Sequence, residues 1–215
     1  MNEFIDVYDA DLRHLGTEER LKVHMEGLWH KTFHFWLASK KNEGQVLYQW
    51  RSKEMKNFPD MLDVSAAGHI LAGETVDQGI REAEEELGIS IDSRDVHSLG
   101  YRVEVADQEN GQKNREYQAV HLALVDIDLE DFTPQIEEVS GLYWVPLAKG
   151  IELFTGKAES LYCNGMYYDA HARAWKQHSR NFSLSHFLPR IQRYYLTMHI
   201  MSERLLAGNT VLAVS

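Results

Sequence analysis

Residues 68 to 89 place the tightest constraint on what this chain can fold into. A short apolar run, Asp63 to Ala67, is broken by Gly68. Gly68-His69-Ile70-Leu71-Ala72-Gly73-Glu74 then leads into Arg81-Glu82-Ala83-Glu84-Glu85-Glu86-Leu87, closed by Gly88. Thr75 to Leu87 reads as one helix, with Gly88 as its left-handed terminating residue. At about 100° per residue, Glu85 and Glu86 fall about 60° behind and about 40° ahead of Glu82. Three carboxylates therefore share one arc, Glu84 points away, and Ile80, Ala83 and Leu87 form a third face suited to burial in a sheet. Three like charges on one face repel each other. A hard divalent cation with oxygen ligands relieves that repulsion. Such a cation neutralises a diphosphate and activates a water, whose proton a neighbouring carboxylate can accept. Taken alone, the helix also fits a solvated acidic surface in which Arg81 pairs with Glu85 at i,i+4.

The segments around this helix alternate. Phe4 to Tyr8, His30 to Ala38, Gln45 to Arg51, Val96 to Val105, Tyr117 to Val125 and Gly141 to Val145 read as strands. Lys40 to Gly44 reads as a turn. Thr17, followed by Glu18 and Glu19, has the chemistry of a helix start. Pro146 to Phe154 reads as a short helix. The mixture predicts an α/β or α+β sandwich. Beyond Gly156, Ala170 to His178 and Ser185 to Ala207 read as helices, the second with Leu188, Ile191, Tyr195, Met198, Met201 and Leu205 at helical spacing. Pro189 fits that helix only in its first turn. The expected organisation is one domain over 1–155 and a helical extension over 156–215, packed on the core or joining two copies into a homodimer.

Composition narrows the partners. The 215 residues carry 33 Asp and Glu against 22 Lys and Arg, a net charge of -11. A general nucleic-acid or anionic-membrane binder needs the opposite balance, so neither is an expected partner; a local basic pocket for phosphate is compatible. One cysteine, Cys163, rules out an internal disulfide and a four-cysteine zinc site. The first residues do not read as a signal-like leader and no apolar run reaches spanning length, so a cytoplasmic protein is expected.

The 68–89 stretch resembles the Nudix box. Gly68, Glu74, Arg81, Glu82, Glu85, Glu86, Gly88 and Ile89 match its pattern, with one residue fewer between Glu74 and Arg81 and with Ala83 at an aliphatic position. The resemblance implies a Nudix α/β/α sandwich with a mixed sheet over roughly 28–155. It also implies hydrolysis of a nucleoside diphosphate derivative or related small-molecule diphosphate, with Mg2+ or Mn2+. By the same resemblance Glu82, Glu85 and Glu86 are metal ligands, with Glu85 or Glu82 also serving the water, and Gly68, Glu74, Arg81 and Gly88 shape the motif. Glu137-Glu138-Val139 looks like the late acidic loop of the family.

A narrower likeness extends outside the box. His24, His30, His69 and Glu116 are similar to the metal-enclosing set of the type 1 isopentenyl diphosphate isomerase branch, and imidazole with carboxylate suits manganese or zinc better than magnesium. The branch's catalytic cysteine corresponds to Ala67 here, and its second late glutamate to Gln118. An allylic proton shift needs paired acid and base groups, so the expected chemistry is hydrolysis. An isomerase-like enzyme and a non-catalytic nucleotide-binding module are the alternatives. Specificity is expected in the loop 106–116, where Lys113 and Arg115 offer charge for phosphate, and in the aromatic region after 156, Tyr162 to Tyr168 with Trp175.

Overall fold

In the computed structural model, which describes residues 3–191 and 193–214 and leaves out the side chain of Glu82, one long strand organises the molecule. This is β3 (Trp29–Ser39), preceded by β1 (Phe4–Tyr8), β2 (His14–Glu19) and α1 (Arg20–Glu26). It is followed by β4 (Gln45–Arg51), β5 (Leu62–Asp63), β6 (Ala66–His69), α2 (Val76–Leu87), β7 (Val96–Asp107) and β8 (Lys113–Leu124). β9 (Val139–Pro146), α3 (Leu147–Phe154), β10 (Ser160–Asp169), β11 (Ala174–Ser183) and α4 (Tyr194–Leu206) complete it. One edge of β3 pairs in parallel with β8. Its other edge is shared along its length by β1, β6 and β4. The strands join in one mixed sheet, running β11-β10-β9-β4-β3-β1-β2 with β5 on β4, β6 and β8 on β3, and β7 on β8.

Alternation along β3 produces the layers. Phe33, Phe35 and Leu37 pack on one face with Ala83 and Leu87 of α2. Trp36 and Ala38 pack on the other with Tyr194, Tyr195, Met198 and Leu205 of α4. A side-chain period of two explains why neighbouring residues feed opposite cores. Burial of each such large side chain stabilises the fold by about 1.5–3 kcal/mol. The apolar stripe on α4 is thus turned to the core. α2 lies close against β3: a Cβ on Gly79 would sit 2.9 Å from Phe33 Cδ1.

β3 and β4 are hydrogen-bonded only at Ala38–Val46 and Ser39–Gln45. They then diverge, and the short strands β6 and β5 line the two separated edges. This fork opens the cleft that holds the candidate site.

Several expectations need correction. Thr17 lies in β2, where its hydroxyl donates to Asp6 Oδ1 at 2.8 Å; the helix begins at Arg20, after an extended Glu19. Gly68 lies inside β6 rather than ending it. Ala170 to His178 is no helix: β10 and β11 form a hairpin through a turn at Asp169, whose carboxylate accepts from the amides of His171 and Ala172. The helix expected over Ser185 to Ala207 is confined to α4. Upstream of it Leu188 N donates to Leu62 O, which ties the Pro189 segment to β5 as a loop. Strands on both sides of residue 155 therefore share one sheet. No described helix is long and apolar enough to cross a membrane. Cys163 is buried and free, and burial pushes its thiol up to about 12.

Candidate active site

The forked strands enclose a cleft of about 900 Å³. Its acidic wall is α2. Thr75 and Gln78 form a capping box that starts the helix, and Gly88 at φ 65° ends it. The shortened loop still delivers Glu74 to the box arginine: Arg81 Nη2 lies 3.3 Å from Glu74 Oε1, and Arg81 Nη1 lies 2.9 Å from Glu85 Oε1. Glu74 Oε2 also accepts from the amide of Leu71 at 3.0 Å, so the same carboxylate shapes the loop and holds the arginine. Glu85 and Glu86 both line the cleft. Glu85 is half exposed, whereas Glu86 is buried.

The chain after α2 carries a further acid to this wall. Thr133 N and Gln135 N donate to the carbonyls of Leu87 and Glu86. That segment brings Gln135 and Glu138 into the cleft lining. Burial, then the charge of Glu138, pushes the Glu86 carboxyl up to about 8, against hydrogen bonds from Gln49 and the Ala67 backbone and the pull of Arg51. Glu82 shares the helix by its backbone, but its side chain lies outside the described part of the structure.

The cleft also meets an imidazole cluster, of which His24 and His69 line it. His24 comes from the last turn of α1, His30 from the start of β3 and His69 from the end of β6. Register accounts for their meeting: His69 pairs with Thr32 and Glu116 with His30, and His30 and Thr32 share one face of β3. Their candidate ligand nitrogens lie within 4.8 Å of one another. His24 Nε2 and His69 Nε2 are 3.0 Å apart. His30 Nδ1 lies 2.9 Å from the Leu28 carbonyl, which fixes Nδ1 as the protonated nitrogen and leaves a lone pair on Nε2. That buried Nε2 has no hydrogen-bond partner and stands 3.9 Å from Glu116 Oε1. A lone pair directed at a carboxylate is unfavourable unless a proton or cation lies between them. Burial holds His24 and His30 down at about 4 and His69 well below its ordinary value, so protons do not fill that role at neutral pH. The donor set suits a borderline cation such as manganese or zinc.

Gln118 is the residue that holds Glu116. Its Nε2 donates to Glu116 Oε2 at 2.7 Å, and its Oε1 accepts from the buried Arg102. Asp63, also buried, accepts both bonds of Arg190 at 2.7 and 2.8 Å. Arg190, Arg51, Lys56 and Arg20 line the cleft. Lys113 and Arg115 do not appear in that lining. Arg115 is paired with Asp107 at 2.7 Å and donates to the Asn114 carbonyl. The sequence reading missed Arg51, Lys56 and Arg190. Arg51 and Lys56 carried a local signal, two cations opening an irregular polar stretch between strands; Arg190 reaches the cleft only through tertiary packing.

The NUDIX domain family matches residues 30–162. Over 198 residues the chain is 31% identical to an uncharacterized Nudix hydrolase of Clostridium acetobutylicum, covering 90% of this chain and 93% of that protein. It is 26% identical over 153 residues to an isopentenyl-diphosphate Delta-isomerase of Burkholderia multivorans, covering 71% and 82% respectively. A crystal structure of a Deinococcus radiodurans protein superposes with a TM-score of 0.56 at 21% identity, over 72% of this chain and 90% of that one, which places the two in one fold. With the box helix, the forked sheet and these matches together, the chain belongs to the Nudix hydrolase family.

Proposed function

We propose that the protein hydrolyses the diphosphate linkage of a nucleoside diphosphate derivative or a related organic diphosphate, using magnesium or manganese. One observation carries this reading: Glu85 and Glu86 of the box helix face the same cleft as Arg51, Lys56 and Arg190. Carboxylate oxygens beside cationic side chains suit a hard cation shared between protein and phosphate. A bound divalent cation would supply charge neutralisation of the diphosphate and a water of lowered pKa. Glu85, paired with Arg81, would offer carboxylate oxygens to that cation. Glu86, whose carboxyl burial pushes up to about 8, would release its proton as the cation binds and join Glu85 as a ligand, and Glu85 or Glu82 would accept the proton of the water. Glu82 joins them through its place in the box. His24, His30, His69 and Glu116 are assigned to a second cation site, and Lys56 to the phosphates.

The imidazole cluster and the Burkholderia relative favour a second reading, an allylic isomerase. Ala67, beside the box glycine, has no titratable proton for that chemistry. Phosphate and product analysis over nucleoside diphosphate sugars, dinucleotides and isoprenyl diphosphates, with each metal, separates the possibilities. The expected result is cleavage of at least one diphosphate, abolished by Glu85→Gln. Allylic product with label uptake in deuterated water would establish the isomerase. Tight nucleotide binding without cleavage by metal-loaded, folded protein would establish a binding module and overturn the proposal.

A further inference from the structure

Between Arg51 and Leu62 the chain runs as an irregular loop along the cleft, and Phe58 and Asp60 in it adopt left-handed backbone angles, φ 48° and 60°. Non-glycine residues hold that conformation only where surrounding contacts enforce it. The contacts are present. Arg51 donates Nε to the Phe58 carbonyl at 3.1 Å and Nη2 to the Asn57 carbonyl at 3.0 Å. Trp50 Nε1 donates to Asp60 Oδ1 at 2.8 Å. The guanidinium of Arg51 is thus engaged with its own loop and stands 3.7 Å from Asp63, and the exposed Lys56 lines the same cleft.

A second set of bonds crosses to the tip of the β7–β8 hairpin, more than fifty residues away in sequence. Asn57 Nδ2 donates to Gln112 Oε1 at 2.8 Å. Asn110 Nδ2 donates to Asn57 Oδ1 at 2.9 Å and to Gln112 Oε1 at 3.2 Å, and Asn110 Oδ1 accepts from the Gln112 amide at 3.0 Å. Asn57 is therefore fixed through its backbone by Arg51 and through its side chain by two amides, one residue from Lys56. We propose that Asn57, Asn110 and Gln112 form a bridge that holds the Lys56 loop over the cleft, making them positioning residues for the diphosphate. A cation on a restrained loop loses less freedom when it meets its ligand, so the bridge acts on affinity and leaves the chemical step alone.

This inference rests on the diphosphate reading of the cleft, and its test needs no turnover. Methylene diphosphonate, which cannot be hydrolysed, is titrated calorimetrically with magnesium into the wild type, Asn110→Ala, Lys56→Ala and the double variant. Asn110 lies on the exposed tip, and circular dichroism checks that each variant folds. Asn110→Ala is expected to weaken binding roughly fivefold, and the double variant to bind no worse than Lys56→Ala alone, because both changes remove one interaction. On a diphosphate that is turned over, Asn110→Ala is expected to raise KM by the same factor while kcat stays within about twofold. Unchanged binding by Asn110→Ala, losses that multiply in the double variant, or a wild type that binds no methylene diphosphonate would each overturn the bridge. Bridge-dependent binding without cleavage of any substrate would sink the hydrolase reading and leave the bridge standing.

Discussion

The site has an imidazole end, where three rings meet with their nitrogens within 4.8 Å, and an acidic end, where Glu86 is buried beside the charge of Glu138. Burial acts on both ends and moves them in opposite directions. It holds His24 and His30 down at about 4 and raises Glu86 to about 8. Without a cation, the imidazoles are therefore deprotonated at pH 7, whereas Glu86 keeps its proton beside the charge of Glu138. The two ends differ in what a cation must displace. At the imidazoles it finds free lone pairs and only a tautomer to rearrange. At Glu86 it must expel a proton, so binding there couples to pH. On the proposed reading the imidazole end would retain a cation and the acidic end would exchange one with substrate.

The largest effect that would break this comparison is at Glu86. Glu86→Gln keeps the shape and removes the ionisable oxygen. Turnover of whichever diphosphate is cleaved is expected to fall about a hundredfold or more, and magnesium binding at pH 7 is expected to stop releasing a proton, as read from the buffer dependence of calorimetric heats. Retained turnover together with retained proton release would show that the acidic end is arranged around another carboxylate. His69→Ala should act on the other end: manganese or zinc content after purification is expected to drop at least tenfold, with magnesium affinity changed less than about twofold. An equal loss of both metals would mean that the two ends form one site.

Stability against pH tests the same opposition at smaller scale. In chelated protein the folded chain binds fewer protons than the unfolded chain at His24 and His30 between about pH 4 and 6.5, so stability is lost as pH falls through that window. At Glu86 the folded chain binds more protons than the unfolded one from about 4.5 to about 8, so stability is lost as pH rises. His34, His69, His121 and His199 are lowered by burial as well and add to the acid-side loss, whereas the loss above neutral pH is assigned to Glu86. Urea unfolding of Glu86→Gln is expected to show that alkaline loss removed; a loss of unchanged size would assign it to other groups.

The acidic end was legible in the sequence because helical spacing is local. The glycines, the capping threonine and the glutamates all lie within some twenty residues, and α2 keeps its start at Thr75 and its stop at Gly88 even with a shortened loop. The imidazole end was legible only by resemblance, since His24, His30, His69 and Glu116 are joined by register between α1, β3, β6 and β8. The hairpin β10–β11 was misread for a physical reason. Most of β11 faces solvent, so Ala170 to His178 carries no alternating apolar face and its Ala, Arg, Lys and Gln residues imitate a helix. Arg190 belongs to the same class of miss: its partner Asp63 is 127 positions away.

The smallest expected effect concerns the two cations that the sequence offered for phosphate. Lys113 and Arg115 lie on the strand that carries Glu116, which makes them plausible on paper. Side chains two apart on a strand share a face and neighbours do not, so Arg115 turns away from the face that Glu116 presents to the cleft. Its guanidinium meets Asp107 at 2.7 Å across the hairpin. Lys113 packs its stem beside Gly27, where a Cβ would meet Lys113 Cβ at 3.1 Å. A screened pair of this kind contributes at most about 1 kcal/mol to stability. Lys113→Ala and Arg115→Ala should each change KM by less than about twofold, against the severalfold rise expected for Lys56→Ala. Should either variant instead raise KM as much as Lys56→Ala does, the phosphate path runs along the β7–β8 hairpin and the cationic wall drawn from Arg51, Lys56 and Arg190 is misplaced.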